Sequence, residues 1–418
     1  MKNWSWIPTL YFAEGLPYVV VTLVSLVFYK QMGLGNTEIT FYTSWLYLPW
    51  VIKPLWSPFV ELAQNKRRWV VVMQLLIGTS LGGIAFTIPT ANWFQSTLFF
   101  FWLAAFAATT HDIAADYLHM KAIPYHNRPL YIRIRLLCYY LAGIVAQGIL
   151  VMIAGNLQVI YRNSISYSWS IAFYGLTGLF IGLCLWNHKQ LPIDCEDHHN
   201  PNSNRHDIRY KTYTTIRSFF TDTPTTTLLF ICLYRMPEGL FNKVSALFLI
   251  DAPHNGGLGL SPQEYGFVEG TIGIIALSLG GIIGSLVAER DGLRRWLCPM
   301  ALSMLIPEVI YIFLSYILPN SLPLISLCVF FEQFGLGFGT TTLFLFLIYH
   351  NRDKHKNTYY TIANSLMVLS LMIPSFVAGY LQELLDYRIF FVIALLVSVL
   401  ILAITKGFAK RKIRKVGA

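Results

Sequence analysis

The amino-acid sequence predicts an all-α integral membrane protein of about twelve transmembrane helices. Its 418 residues are 55% hydrophobic and only 12% charged, whereas a soluble domain carries roughly 25% charged residues. Its apolar stretches run about 20 to 27 residues, enough to cross about 30 Å of hydrocarbon as a helix and too long for barrel strands. Its basic residues gather in alternate loops, the mark of a chain that crosses a membrane repeatedly.

Spans are expected at 5–30, 37–62, 68–88, 95–121, 130–155 and 167–187, and again at 224–250, 262–288, 297–317, 323–349, 357–381 and 387–408. The first carries Glu14 and Pro17, lacks a small-residue cleavage site after it and runs straight into another apolar stretch. It therefore reads as a retained helix, not a signal peptide. The even-numbered spans are followed by Lys66, Arg67 and Arg68, by Lys121 and Arg128, by Arg290, Arg294 and Arg295, by Arg352, Lys354 and Lys356, and by the basic tail from Lys410 to Lys415. The opposite loops offer little beyond Lys30, Arg162 and Arg388. The positive-inside rule then places both termini in the cytoplasm. The net charge of +10 marks topology and gives no reason to expect nucleic acid.

Two bundles of six helices follow, residues 1–187 and 223–418, joined by a cytoplasmic linker at 188–222. Much of the linker, from "NHKQLPIDCEDHHNPNSNRHDIRYK" onward, is too polar to fold alone. Its histidines (His188, His198, His199, His206) read as solvated, and "TTIRSFFTD" at its end reads as a short interfacial helix. The cysteines Cys138, Cys184, Cys195, Cys232, Cys298 and Cys328 are scattered, with no CxxC pair and no histidine at ligand spacing. Neither a disulfide framework, nor a metal site, nor a cofactor is expected.

The halves repeat one another. "YFAEGLPY" (Tyr11 to Tyr18) returns as "YRMPEGLF" (Tyr234 to Phe241), and "MGLGNTEI" (Met32 to Ile39) as "LGLSPQEY" (Leu258 to Tyr265). In the latter, Ser261, Pro262 and Glu264 have the layout of a capping box. "SPFVELAQNKRRW" (Ser57 to Trp69) likewise aligns with "SLVAERDGLRRW" (Ser285 to Trp296). A small residue and a carboxylate at i and i+4, then a turn and two arginines, suit a gate: the small residue admits a neighbouring helix, and the acid caps it or pairs with the arginines. Glu61, Arg67, Arg68, Glu289, Arg290, Arg294 and Arg295 are the gating candidates. A parallel six-helix repeat is the layout of major facilitator transporters, and the run from Glu289 to Arg295 resembles that superfamily's loop motif.

Ionisable residues within the expected spans are Glu14, Lys53, Asp112, Asp116, Arg133, Arg135, Arg235, Glu238, Lys243, Glu269, Glu308 and Glu332. Each charge at mid-helix costs about 2.5–3.5 kcal/mol on insertion scales, so they must face one another or water. Glu14, Asp112, Asp116, Arg235, Glu238 and Glu332 fall on the first, fourth, seventh and tenth spans, which line the central cavity in the major facilitator architecture. Asp112, Asp116 and His119 share one helical stripe. Arg133 and Arg135 point about 200° apart, so at most one faces that stripe. Glu14 and Glu332, with no cation one turn away, are the expected proton carriers beside Asp112 and Asp116, since a carboxylate withdrawn from water exchanges protons in the working pH range. Glu238 has Arg235 one turn away and reads as paired. Gly15 with Pro17, and the glycines of "EQFGLGFGTTT" (Glu332 to Thr342), allow either bending or close helix packing.

Together these residues resemble the AmpG-type muropeptide permeases, a branch of the major facilitator superfamily related to the acetyl-CoA transporters. The resemblance rests on "FAEGLP" (Phe12 to Pro17), "KPLWSPFVE" (Lys53 to Glu61) with Arg67, Arg68, Trp69 and Gln74, "HDIAAD" (His111 to Asp116), "YRMPE" (Tyr234 to Glu238) and "EQFGLGFGT" (Glu332 to Thr340). It implies proton-driven import of anhydro-muropeptides across the bacterial inner membrane, with roles for Asp112, Asp116, Arg235 and Glu238. The sequence departs from that pattern at Glu14, where a small residue is usual, and at His111, where glutamine is. A muropeptide would need cations and aromatic faces, for which Tyr11, Tyr234, Arg235 and Lys243 with Glu238 are the substrate-binding candidates. Acyl-CoA-like and siderophore-type substrates are the alternatives within transport. A membrane-embedded transferase using His111 and Asp112 is the remote one, and no enzyme activity is expected. The expected partners are a small-molecule substrate, protons and the bilayer, with the chain acting as a monomer.

Overall fold

The computed structural model describes residues 6–62, 65–122, 128–162, 164–191, 205–350 and 356–416, with side chains described except at 61–62, 119–122, 128–133, 205–213, 293–294, 347–350, 356–358 and 405–416. Every regular element among them is helical. The chain is a multi-pass membrane protein: nine helical stretches among the described residues are long and apolar enough to cross a membrane. The remaining crossings come from interruptions. The second span is split into Asn36–Trp45 and Leu48–Leu62, and the seventh into Thr225–Tyr234 and Met236–Ile250, each half too short by itself. The 46-residue stretch Tyr359–Ile404 contains the eleventh and twelfth spans, separated at Asp386, whose φ of 57° breaks the helix.

Continuous helices were expected at 37–62, 224–250 and 297–317, but the last is also split, into Leu293–Ser303 and Ile306–Ile317. Each restart places proline second: Leu48-Pro49, Met236-Pro237, Ile306-Pro307. A proline in the first helical turn forfeits no helical hydrogen bond, whereas deeper in a helix it removes one and clashes with the carbonyl four residues back. Two restarts then carry a glutamate third, Glu238 and Glu308, where the N-terminal dipole favours negative charge. Pro17 acts differently. The first span runs unbroken as Trp6–Val19, then passes through a π-helical turn, Val20–Val24, which absorbs the irregularity without a break. Similar turns occupy Ile144–Leu150 and Val268–Gly273.

The chain divides into two compact units, Met1–Met32 with Leu55–Arg209, and Gly33–Pro54 with Tyr210–Ala418. In the first, Leu10, Tyr11, Val70, Ala114 and Leu118 form one buried cluster, and Phe28 stands edge-on to Trp93, Trp169 and Phe173 in another. In the second, the core joins Phe230, Tyr234, Met300, Leu343 and Met367. The helix Arg205–Asp222 contains the expected "TTIRSFFTD" segment, and its Phe219 is buried in that core. The capping box at Ser261 and Glu264 is formed as expected.

Residues 33–54 fold into the second unit through polar contacts. The Asn36 amide lies within hydrogen-bonding distance of Asp251 (3.0 Å), Gln382 (2.7 Å) and Tyr387 (2.9 Å), and the Tyr387 hydroxyl donates to Asp251 at 2.6 Å. The backbone N–H and hydroxyl of Thr37 donate to the Glu383 carboxylate.

The tenth-span glycines serve close approach. A Cβ on Gly337 would lie 2.1 Å from the Leu277 carbonyl oxygen, and one on Gly280 would lie 2.2 Å from that of Phe334. The eighth and tenth spans thus touch backbone to backbone, and a methyl group would force them apart. Gly337→Ala should destabilise the protein by about 1–3 kcal/mol through overpacking, read as a lower thermal midpoint in detergent. Gly175→Ala, where an added Cβ meets nothing within 4 Å, should leave the midpoint unchanged.

Candidate functional site

In the first unit, the first, fourth and fifth spans bring three acids to one guanidinium. Arg135 Nη2 lies 2.7 Å from Glu14 Oε1 and 3.6 Å from Asp112 Oδ1, and its Nη1 lies 2.5 Å from Asp116 Oδ1. One carboxylate oxygen from each acid lies within 4.8 Å of those of the other two. The Tyr11 ring packs 4.9 Å from the guanidinium carbon. Gly15 admits the fifth span, for its Cβ would meet the Tyr139 ring at 2.9 Å. Exposure rises across the cluster, from 9% at Glu14 through 16% at Asp112 to 35% at Asp116. The acids therefore lead from solvent inward.

The i, i+4 stripe of Asp112 and Asp116 and its pairing with one arginine are as the spacing predicts. The isolation of Glu14 is not. Its cation comes from a helix 121 residues away, beyond anything a one-turn neighbour rule detects. The inference from isolation is replaced by convergence: three carboxylates face one guanidinium. That guanidinium already stands at the centre of the acids, where a metal ion would have to displace it. His119, Arg133 and Glu61 have side chains outside those described.

His111 points elsewhere. It is buried, and the Gln74 amide donates to its Nε2 at 3.1 Å. Asn187 donates to Gln74, and the Thr9 hydroxyl donates to Asn187. This relay ties together the first, third, fourth and sixth spans, so His111 is held by packing partners and not aimed at the acids.

In the second unit, Arg235 makes a two-pronged pair with Glu238, at 2.8 and 2.5 Å. Glu238, Glu308 and Glu332 line one small cavity with Phe241 and Met304, roomy enough for about one water-sized guest. Glu332 is 2% exposed. Lys243 is buried and donates to the hydroxyls of Thr43 (2.8 Å) and Ser44 (2.9 Å), with the Tyr47 ring 5.2 Å away. Tyr234 is fully buried against Phe230, and its hydroxyl donates to the Gly339 carbonyl. That makes it a packing residue where a substrate-facing ring was expected. Glu308 went unassigned in the sequence, although the recurrence of Pro-Glu at 237–238 and 307–308 was available as a signal.

The expected gating residues are spread out. Arg67 donates to the His188 carbonyl, and Arg68, Glu289, Arg290 and Arg295 are exposed. Arg290 lies 3.7 Å from Asp291, which accepts from the Trp296 indole. Among the described residues Glu289 has no ion pair, and the Arg294 side chain lies outside those described.

No family model matches the chain. A chain of known structure, the xylose transporter XylE from E. coli in an inward-open conformation, superposes with a TM-score of 0.66 at 12% identity, covering 94% of each chain. The chain has the major facilitator fold. Within that fold the sequence is similar to the anhydromuropeptide permease of Escherichia coli K12, at 22% identity over 93% of this chain and 76% of the permease. It is similar also to the putative transporter AmpG 4 of Rickettsia conorii, at 21% identity over 92% and 91% of the two chains. The resemblance to AmpG-type permeases drawn from short motifs therefore extends along nearly the whole chain.

The Arg135 cluster sets a stability expectation. Arg135→Leu leaves three acids without their cation and should lower the thermal midpoint. Adding Glu14→Gln should regain part of the loss, with a coupling energy of about 1–3 kcal/mol in a double-mutant cycle. Strictly additive losses would show that Glu14 and Arg135 do not interact.

Proposed function

We propose that the protein is a proton-coupled secondary transporter that imports anhydro-muropeptide-like cell-wall fragments across the bacterial inner membrane by alternating access, with both termini in the cytoplasm. The observation that carries the coupling is the convergence of Glu14, Asp112 and Asp116 on Arg135. Three part-buried carboxylates gathered on one guanidinium repel one another, and the repulsion is relieved when one of them takes up a proton. Glu14, the most enclosed of the three, is the residue to which that proton is assigned. Its release follows when the cluster rearranges and the Glu14 carboxylate reaches water, which solvates its charge.

One proton moving through 100 mV yields about 2.3 kcal/mol, enough for roughly fiftyfold accumulation of a neutral solute. The similarity to an anhydromuropeptide permease supports the substrate class. In the second unit, Lys243 has hydroxyl partners but no ion pair among the described residues, so its charge is available to a substrate carboxylate. Arg235 can exchange Glu238 for a second one. The interior acids are assigned to charge movement, which is transport chemistry and not group transfer.

Vesicles reconstituted with the protein should accumulate a radiolabelled anhydro-muropeptide when an inward proton gradient is imposed. Uptake unchanged by collapsing the gradient would refute coupling. Glu14→Gln should reduce accumulation from tens of fold to simple equilibration while counterflow exchange continues at a comparable rate. Full accumulation in this variant would move the coupling proton to another residue.

A further inference from the structure

A second arrangement of acids, remote in sequence from Arg135, lies wholly within the second unit. Glu269 sits in the π-helical turn Val268–Gly273 of the eighth span, and Glu332 and Gln333 are neighbours on the tenth. The Gln333 amide nitrogen donates to Glu269 Oε1 at 2.8 Å and to Glu332 Oε1 at 3.3 Å. All three side chains are at least nine-tenths buried, with Glu269 9%, Glu332 2% and Gln333 7% exposed. The second carboxylate oxygen of each acid is buried with no hydrogen-bond partner. Among the described residues no ion pair reaches either acid.

From these contacts we infer that Glu269 and Glu332 share one exchangeable proton, with Gln333 as the positioning residue that holds the two acids together. This deepens the proton-coupling reading and rests on it for its part in transport.

The groups facing the pair leave little else to balance its charge. From the ninth span come Tyr311, fully buried with its hydroxyl facing Glu332, and Glu308, which accepts from Ser398 at 2.5 Å. From the seventh comes Glu238, whose cation Arg235 is already engaged. Cys328 lies one turn before Glu332, and Tyr265 one turn before Glu269. Two ionised carboxylates held by one amide nitrogen, buried and without an ion pair among the described residues, repel strongly, and one proton removes the conflict.

The amide geometry selects the proton over a metal ion. A bound cation needs several oxygens turned toward it, whereas Gln333 presents N–H groups to both carboxylates. Its place is secured by Gly273, where a Cβ would lie 3.2 Å from Gln333 Cγ. Glu332 also lines the cavity shared with Glu238 and Glu308. Water entering there can hand a proton to the free oxygen: an O–H bond forms on the carboxylate as one breaks on hydronium, and the reverse step releases it.

Infrared difference spectra of the full chain in vesicles after a pH jump test this without any substrate. A shared proton makes the carboxyl bands non-additive: Glu269→Gln must alter the contribution of Glu332, Glu332→Gln that of Glu269, and the double variant must differ from the sum of the singles. Additive, independent bands would overturn the inference. If the double variant does not fold, E269Q alone decides, since an independent Glu332 would keep its band unaltered. Glu308→Gln should leave this coupling in place. In transport, E269Q should cut proton-driven muropeptide accumulation at least tenfold while counterflow persists, and wild-type accumulation in E269Q would overturn the pair's role. A wild type with non-additive bands but no proton-driven uptake would sink the transport reading and leave the shared proton standing.

Discussion

A charge inside hydrocarbon has no water to fall back on, so the protein must supply its counter-charge, a hydrogen bond or a proton. Much of this structure follows from meeting that demand with few charges. The unit formed around Glu14, Asp112 and Asp116 meets it with one guanidinium placed among three acids. The unit that contains Glu269 and Glu332 meets it with a neutral amide. Both arrangements bring carboxylates together. The consequence is the same in each: neighbouring acids repel, and a proton taken up by one of them relieves the repulsion.

The two solutions differ in how they respond to movement. An arginine forks toward several acceptors and can change partner while keeping its charge satisfied. Arg135 can therefore slide among Glu14, Asp112 and Asp116 as helices shift. An amide has only two N–H groups, and Gln333 uses its nitrogen toward two carboxylates. It fixes distance more than it balances charge. Helix irregularities lie beside these sites: the π turn Val20–Val24 follows the helix bearing Glu14, another contains Glu269, and broken restarts carry Glu238 and Glu308. Backbone that departs from regular α-helix has softer hydrogen bonding, and such segments recur where function requires a helix to change shape.

The fold class was legible because apolar length and loop charge are one-dimensional properties, and the sequence carries them directly. Helix interruptions were not, since a hydropathy average passes smoothly across a break; the proline in second position at 49, 237 and 307 was the missed sign. The Asp112–Asp116 stripe was legible because helical spacing alone sets it. The Glu14–Arg135 contact was hidden because helices 121 residues apart meet through tertiary packing. Tyr234 was misread for a related reason: a tyrosine in a helix looks the same whether its hydroxyl faces a cavity or, as here, a backbone carbonyl.

Asn36 carries a consequence for how the protein is made. Its amide is satisfied by Asp251, Gln382 and Tyr387, none of which exists when the second span leaves the ribosome. Gln382 follows 346 residues later, roughly 17 to 70 s of synthesis at about 5–20 residues per second. For that interval the Asn36 amide must find its hydrogen-bond partners elsewhere, in water or lipid headgroups. The contacts that Gln382, Glu383 and Tyr387 make to residues 36 and 37 thus make the last two helices the closing step of assembly.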